Sequence, residues 1–117
     1  GLVSAASAAD TAVDGQTFTS TWTWAQAAAG DGLTFQNSTV NSASGDGIAI
    51  TAPVSGGTFN FTDNTVTTTD AAAAAALQLS NVSDAAINIE GGSYTGGKNG
   101  IEIDKGSNDT IAIDGVT

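Results

Sequence analysis

The stretch LTFQNSTV (33–40) determines the fold, because its pattern returns as FNFTDNTV (59–66) and INIEGGSY (87–94). Each copy has two apolar residues separated by one polar residue, then a turn of Asn, Asp or Gly, and an apolar residue seven places after the first. The first apolar residues, at positions 33, 59, 87 and 111, lie 26, 28 and 24 residues apart. A regular period of this length predicts a solenoid.

Aligning the repeats gives three columns of apolar residues, and the period-2 alternation within each pair predicts short, half-buried strands. The first column contains Leu33/Phe35, Phe59/Phe61, Ile87/Ile89 and Ile111/Ile113; the second contains Trp22/Trp24, Ile48/Ile50, Leu77/Leu79 and Ile101/Ile103; the third contains Val40, Val66 and Tyr94. We therefore predict an all-β, three-faced, right-handed parallel β-helix of a little under four coils, the hand following from the crossover rule. An antiparallel β-sandwich is the alternative.

The predicted domain boundaries are residues 17–117 for the β-helix and 1–16 for an N-terminal arm or capping segment. Leu2, Ala5, Ala9 and Val13 have helical spacing, so a capping helix and an extended arm that pairs with a neighbour both remain open. The following stretch, TFTSTWTW (17–24), is interpreted as one alternating strand.

Alternating threonines in TFTSTWTW suggest an ice-binding surface, which requires threonine to stack from coil to coil. Position 23 instead aligns with Ala49, Gln78 and Glu102. Ice binding is therefore not predicted from this stretch, and Trp22 and Trp24 are expected to fill the core of the first coil.

The charge balance excludes several classes of function. The net charge is −10, with two lysines and no arginine, histidine or cysteine. Nucleic-acid binding is excluded because it depends on basic residues that neutralise phosphates. Disulfides are ruled out, and no run approaches the roughly 20 apolar residues needed for membrane insertion.

An acidic, soluble composition favours an extracellular or cell-surface location, and GLVSAASAAD (1–10) lacks the basic start of an intact secretory signal.

Over about residues 22–117, the repeats and the GIAI and GIEI strands resemble right-handed parallel β-helix proteins: pectin-lyase-like enzymes, phage tailspikes and passenger regions of secreted bacterial adhesins. The resemblance implies that an active lyase would use a basic residue with calcium-binding acids, and that a hydrolase would use clustered carboxylates, often with histidine. This chain has neither arginine nor histidine. Glu90 with Asp114, and Glu102 with Asp104, are candidate acid and base pairs. We interpret them as solvated carboxylates and predict no catalytic residue.

The candidate sites for metal binding and for glycosylation are identified from short polar motifs. Asp104, Asn108, Asp109 and Asp114 offer oxygen ligands for calcium, but an Asx-rich corner satisfying its own backbone is the favoured interpretation. No cofactor is therefore predicted. Four sequons would accept N-glycans in a suitable host, at Asn37, Asn60, Asn81 and Asn108.

The last repeat, IAIDGVT (111–117), stops before its seventh-place apolar residue, so we expect an uncapped end that another copy completes. The predicted self-assembly interface joins Ile111, Ile113 and Val116 of one copy to Leu2, Val3, Phe18, Trp22 and Trp24 of the next. The predicted function is a non-catalytic extracellular subunit stacking head to tail into a surface filament. Alternatives are a fragment of a large surface adhesin or autotransporter-type passenger, with surface carbohydrate or cell-envelope contacts, and a polysaccharide-degrading enzyme.

Overall fold

A computed structural model describes residues 8–117, and all regular structure in this range is β-strand. Every strand pairing is parallel, which confirms the parallel β-helix and excludes the sandwich. The strands are β1 Asp10–Asp14, β2 Thr17–Phe18, β3 Trp22–Thr23, β4 Gly32–Gln36, β5 Thr39–Ser42, β6 Ile48–Ile50, β7 Val54–Ser55, β8 Thr58–Thr62, β9 Thr65–Thr68, β10 Ala75–Ser80, β11 Val82–Ser83, β12 Ala86–Glu90, β13 Ser93–Thr95, β14 Asn99–Asp104 and β15 Thr110–Asp114.

The strands stack into three principal sheets, one on each face of the solenoid. Sheet 1 has the order β1-β4-β8-β12-β15, sheet 2 the order β13-β9-β5-β2, and sheet 3 the order β14-β10-β6-β3. β7 and β11 form a small additional pairing. The chain thus makes about four turns, and β15 begins another on sheet 1. Within residues 8–117, no helix has the length and apolarity needed to cross a bilayer.

All three predicted columns are confirmed by the strand register. On sheet 1, Leu33 aligns with Phe59, Phe59 with Ile87, and Ile87 with Ile111. The second column aligns Trp22, Ile48, Leu77 and Ile101 on sheet 3, and the third aligns Phe18, Val40, Val66 and Tyr94 on sheet 2. Middle members of the columns, such as Phe35, Phe61 and Leu77, have no exposed surface, so the core runs along the solenoid axis.

The solenoid begins earlier than the predicted boundary at residue 17. β1, which lies in the segment predicted to be an arm or cap, is the first strand of sheet 1 and pairs in parallel with β4. Its Val13 continues the Phe35 column, whereas Thr11 occupies the position that Leu33 holds in the next coil. Trp24 Nε1 donates a hydrogen bond of 2.9 Å to Thr11 Oγ1, which satisfies the polar group that interrupts the apolar pattern. The described part of the segment is therefore strand rather than helix.

The interpretation of residues 17–24 as one strand is wrong. The segment forms β2 on sheet 2 and β3 on sheet 3, with a corner between them. Neither glycine nor proline marks this corner. Instead, Thr21 Oγ1 donates to the backbone oxygen of Asp46 at 2.6 Å and anchors the bend to the next coil. The alignment of Thr23 with Ala49, Gln78 and Glu102 is nevertheless as predicted.

The corner between sheets 1 and 2 has the same backbone conformation in every coil. It has positive φ angles between 50° and 64°, at Gly15, Asn37, Asp63, Gly91 and Gly115. Glycine adopts this left-handed conformation without strain, and Asn and Asp tolerate it better than other residues. Consecutive corners are joined by backbone hydrogen bonds, such as that from the Asp63 N–H to the Glu90 oxygen at 2.9 Å. The repeated turn therefore fixes the register between coils.

The Phe61→Ala variant tests the stacked core. Because Phe61 has no exposed surface, we expect its truncation to lower the free energy of unfolding by about 3–5 kcal/mol. Thr62→Ala, on the outward side of the same strand, is the matched control and should change it by less than about 0.5 kcal/mol. Denaturant unfolding followed by tryptophan fluorescence measures both, and equal losses for the two variants would contradict the assignment of the core.

Candidate functional site

The two ends of the solenoid differ in how their apolar residues are covered. At the C-terminal end, Ile111 is 47% and Ile113 is 50% exposed, and no other large apolar side chain within residues 8–117 is exposed to this degree. Both lie on β15, whose one strand partner among residues 8–117 is β12. Val116, the third residue predicted on this side of the interface, is partly buried against the core. This end combines an apolar surface with a sheet edge.

At the N-terminal end, aromatic side chains cover the core. Phe18, Trp22 and Trp24 are partly buried against it. The Trp22 ring lies 4.9 Å from that of Phe35, edge to face, and the Trp24 ring lies 5.3 Å from that of Phe59 in the same geometry. The residues predicted to join copies therefore divide between two opposite ends of the structure. Leu2 and Val3 lie outside the described residues.

The candidate acid and base pairs lie on two different faces. Glu90 aligns with Asp114 on adjacent strands of sheet 1, as predicted, and both are exposed. They border a shallow depression of about 350 Å³ with Asn60, Asn88 and Ala112. On sheet 3, Glu102 Oε2 accepts a hydrogen bond from Asn99 Nδ2 at 3.1 Å. An open depression of this kind gives a polymer chain little to bind, and the charged groups around it are carboxylates.

The four candidate calcium ligands do not form one ligand set. Among residues 8–117, no group of three or more Asp, Glu, His or Cys side chains is placed to hold a metal. Asp109 Oδ1 accepts the Ala85 N–H at 3.1 Å, and Asn108 Nδ2 donates to Asp84 Oδ1 at 2.7 Å. One oxygen of Asp104 is buried without a partner, while Asp114 lies on sheet 1. The hydrogen bonds of Asn108 and Asp109 therefore join the corner at residues 104–109 to the preceding coil.

Several other aspartates cap backbone groups of a neighbouring coil. The Asp31 carboxylate accepts the N–H groups of Ala9, Ala28 and Ala27 at 2.8, 2.8 and 3.0 Å. These bonds, that from Ala9 foremost, lower the pKa of Asp31 although burial opposes them. The Gly45 N–H likewise lowers the pKa of Asp70. Some of the aspartates that make the chain acidic therefore have a structural role.

Each of the four sequon asparagines makes a hydrogen bond through its side chain. Asn37, Asn81 and Asn108 have positive φ angles at corners, and their side-chain amides donate to Asp14, Thr51 and Asp84. Asn60, on sheet 1, accepts from Asn88 at 2.9 Å. N-glycosylation at these positions stays a prediction.

The outer face of sheet 2 carries a feature that the sequence analysis missed. We call it the threonine array, and it consists of two columns. The first is Thr17, Thr39, Thr65, Ser93 and Thr117; the second is Asn41, Thr67 and Thr95, with Thr19 beside Asn41 just after the end of β2. Backbone bonds of Thr117 to Gly92 and Tyr94 place it opposite Ser93. In the sequence, the array is visible as a repeated T-x-T pattern, with Ser or Asn replacing one Thr in two of the copies. The pattern is centred on the inward residues Phe18, Val40, Val66 and Tyr94.

The threonine array is uncharged and its hydroxyls are unengaged. Its members are exposed or half-buried, and within residues 8–117 none of their hydroxyl groups hydrogen-bonds another group of the protein. Between the columns and the neighbouring Ala43 and Thr69 lies a shallow depression of about 310 Å³. The face therefore presents regularly spaced hydroxyl and methyl groups to solvent.

Comparisons with protein-family models, with curated proteins and with solved structures found no significant match for this chain.

The Asp31→Asn variant tests the structural role of the capping carboxylate. Because the pKa of Asp31 is lowered in the folded state, its ionised form stabilises the protein above the ordinary value of 3.8, and this contribution is lost as the pH falls through the lower folded value. We expect the variant to be less stable than the parent at pH 7, with a difference that shrinks below about pH 3.8.

Thermal unfolding at pH 7 and at pH 3 measures this difference. Asp10→Asn, which removes an exposed carboxylate from β1, is the matched charge control. A stability difference for Asp31→Asn that is the same at both pH values would contradict the capping role.

Proposed function

We propose that this chain is a non-catalytic, extracellular structural subunit that stacks head to tail into a surface filament. The observation that carries the proposal is the exposure of Ile111 and Ile113 on β15, the last strand of sheet 1. Unpaired strand edges pair readily with another chain, and apolar surface at the end of a solenoid is normally covered. A partner that meets both requirements supplies a parallel strand with inward apolar residues.

β1 of a second copy would supply such a strand with one inward apolar residue, Val13, and would place Thr11 opposite Ile111. It pairs only with β4, so its other edge is open within the described chain. Val13 would continue the column that ends at Ile113, and the corner glycines Gly15 and Gly115 have the same φ of 64°. Each copy would then add a coil where the previous one stops. Such a contact joins two different surfaces and does not close, so it propagates into a filament.

Charge opposes this association at low ionic strength. Asp14 of β1 would stack on Asp114 of β15, in a chain whose net charge is −10. Salt screens exposed charges, with a Debye length of about 10 Å at 0.1 M. Assembly is therefore promoted by salt. The same acidic, cysteine-free composition supports an extracellular location.

A second candidate rests on the same open edge. In a long surface adhesin, the strand that covers Ile111 and Ile113 would come from the following coil of one polypeptide, and the solenoid would present its side faces to surface carbohydrate or the cell envelope. The two functions differ in what this chain does alone: the filament requires association between copies, whereas the adhesin section does not.

The filament proposal is tested with the 117-residue chain itself. At high protein concentration and 0.5 M salt, we expect unbranched filaments in electron micrographs with an axial repeat of about 24 Å, since each copy contributes five strands to sheet 1 and successive strands lie about 4.8 Å apart. Ile113→Asp should abolish them by placing a charge in the apolar contact with Val13 of the next copy.

Ala112→Asp is the matched control, because it adds the same charge to the outward side of the same strand. It should still form filaments at high salt. Monodisperse single subunits of the parent chain under these conditions, measured by analytical ultracentrifugation, would overturn the filament and favour the adhesin section.

A further inference from the structure

Composition does not account for the threonine array. Ser and Thr make up 28 of the 117 residues, yet they occupy eight of the nine array positions. On sheet 1, the outward positions of the five strands hold four such residues out of fifteen, close to the average of the chain. The hydroxyl-bearing residues are thus concentrated on one face of three.

The array is rigid and regular. Its columns continue from coil to coil with a spacing of about 4.8 Å, and the two columns lie about 6.6 Å apart along each strand. Behind it, Val40, Val66 and Tyr94 are buried in the core, which holds the strands in place. Threonine is β-branched and restricted about χ1, so its methyl and hydroxyl groups lose little freedom when a ligand binds.

The ligand of such a face must itself be uncharged and periodic. The array contains no ionisable side chain, although the chain carries a net charge of −10. Its area, about 19 Å by 7 Å from the strand spacings, is far below the roughly 800 Å² per partner of a stable protein interface. It also lacks the aromatic and arginine anchors that protein partners use. The face is too open to enclose a small molecule, which usually binds in a concave pocket.

We propose that the threonine array binds the surface of ice. Ice offers hydrogen-bond donors and acceptors at fixed spacings in two dimensions, and the array is likewise repeated in two dimensions. Hydroxyl groups hydrogen-bond the lattice or an ordered first layer of water, while the methyl groups between them exclude mobile water. Ala43 and Thr69 extend the same face beyond the second column. This surface is on the side of the solenoid, separate from the ends proposed for assembly.

Thr23, whose alignment in the sequence did not give a threonine column, lies on a different face. Thr23 belongs to sheet 3, where it stacks on Ala49 and Gln78 as predicted. Thr17 belongs to sheet 2, where it stacks on Thr39, and Thr19 directly follows β2 and lines the same depression as Thr67. The column that ice binding requires is therefore present, one sheet away from the position that was considered.

The test is ice-affinity partitioning of the full 117-residue chain in dilute solution, with crystal shape observed in a nanolitre osmometer. We expect the protein to enrich in slowly grown ice and to give faceted crystals. Thr67→Tyr, which places a bulky ring in the middle of the array, should lose both effects, and Thr39→Tyr serves as the second variant if Thr67→Tyr does not fold.

Thr34→Tyr is the matched control, because Thr34 has the same outward position between buried residues on sheet 1. It should keep the enrichment and the faceting. Circular dichroism confirms the folded state of each variant. Exclusion of the parent chain from ice, retention of activity by both folded array variants, or equal loss in Thr34→Tyr would each overturn the proposal. So would binding to crystalline cellulose or chitin without enrichment in ice.

Discussion

The in-register stacking of identical positions in parallel strands is the constraint on which the rest of the structure depends. Side chains alternate between core and solvent, so a shift of one residue would turn Phe35 and Phe61 outward and bring Gln36 and Thr62 into the core. The repeated left-handed corner prevents this shift, because Asn37 and Asp63 must occupy the same place in successive coils. Core, corners and outer columns are thus set by one register.

Polar groups inside the solenoid follow the same rule of stacking. Asn64 has no exposed surface, and it accepts the Ser38 N–H at 3.1 Å and donates to the Phe35 oxygen at 2.8 Å. Asp31, Asp46 and Asp70 each accept a backbone N–H from another coil. A buried polar group is costly unless it is hydrogen-bonded. These side chains supply bonds where the backbone leaves the strand ladders at the corners, so they join coils as the ladders do.

The sequence predicted the columns because the residues that form them are large and apolar at a regular period. The sequence did not reveal β1 as the first strand of sheet 1. Thr11 interrupts the apolar column there, and the surrounding alanines carry no strand signal. The corner after Phe18 was also missed, since it uses the Thr21 hydroxyl in place of Gly or Pro. That one corner decides which sheet Thr17 and Thr19 join. The threonine array was consequently not recognised, although every residue of it is visible in the sequence.

The two proposals assign different roles to the ends and to one side of the solenoid, and the register links them. A copy added at β15 would bring its own β1 and β2 into sheets 1 and 2, so Thr17 of the new copy would follow the column that includes Ser93 and Thr117. Head-to-tail stacking would therefore lengthen the threonine array as well as the core. Adsorption to a periodic surface strengthens with the number of sites engaged together, because later contacts form at high effective concentration. A filament of this chain would then hold a crystal face more firmly than a single subunit, with no new type of contact.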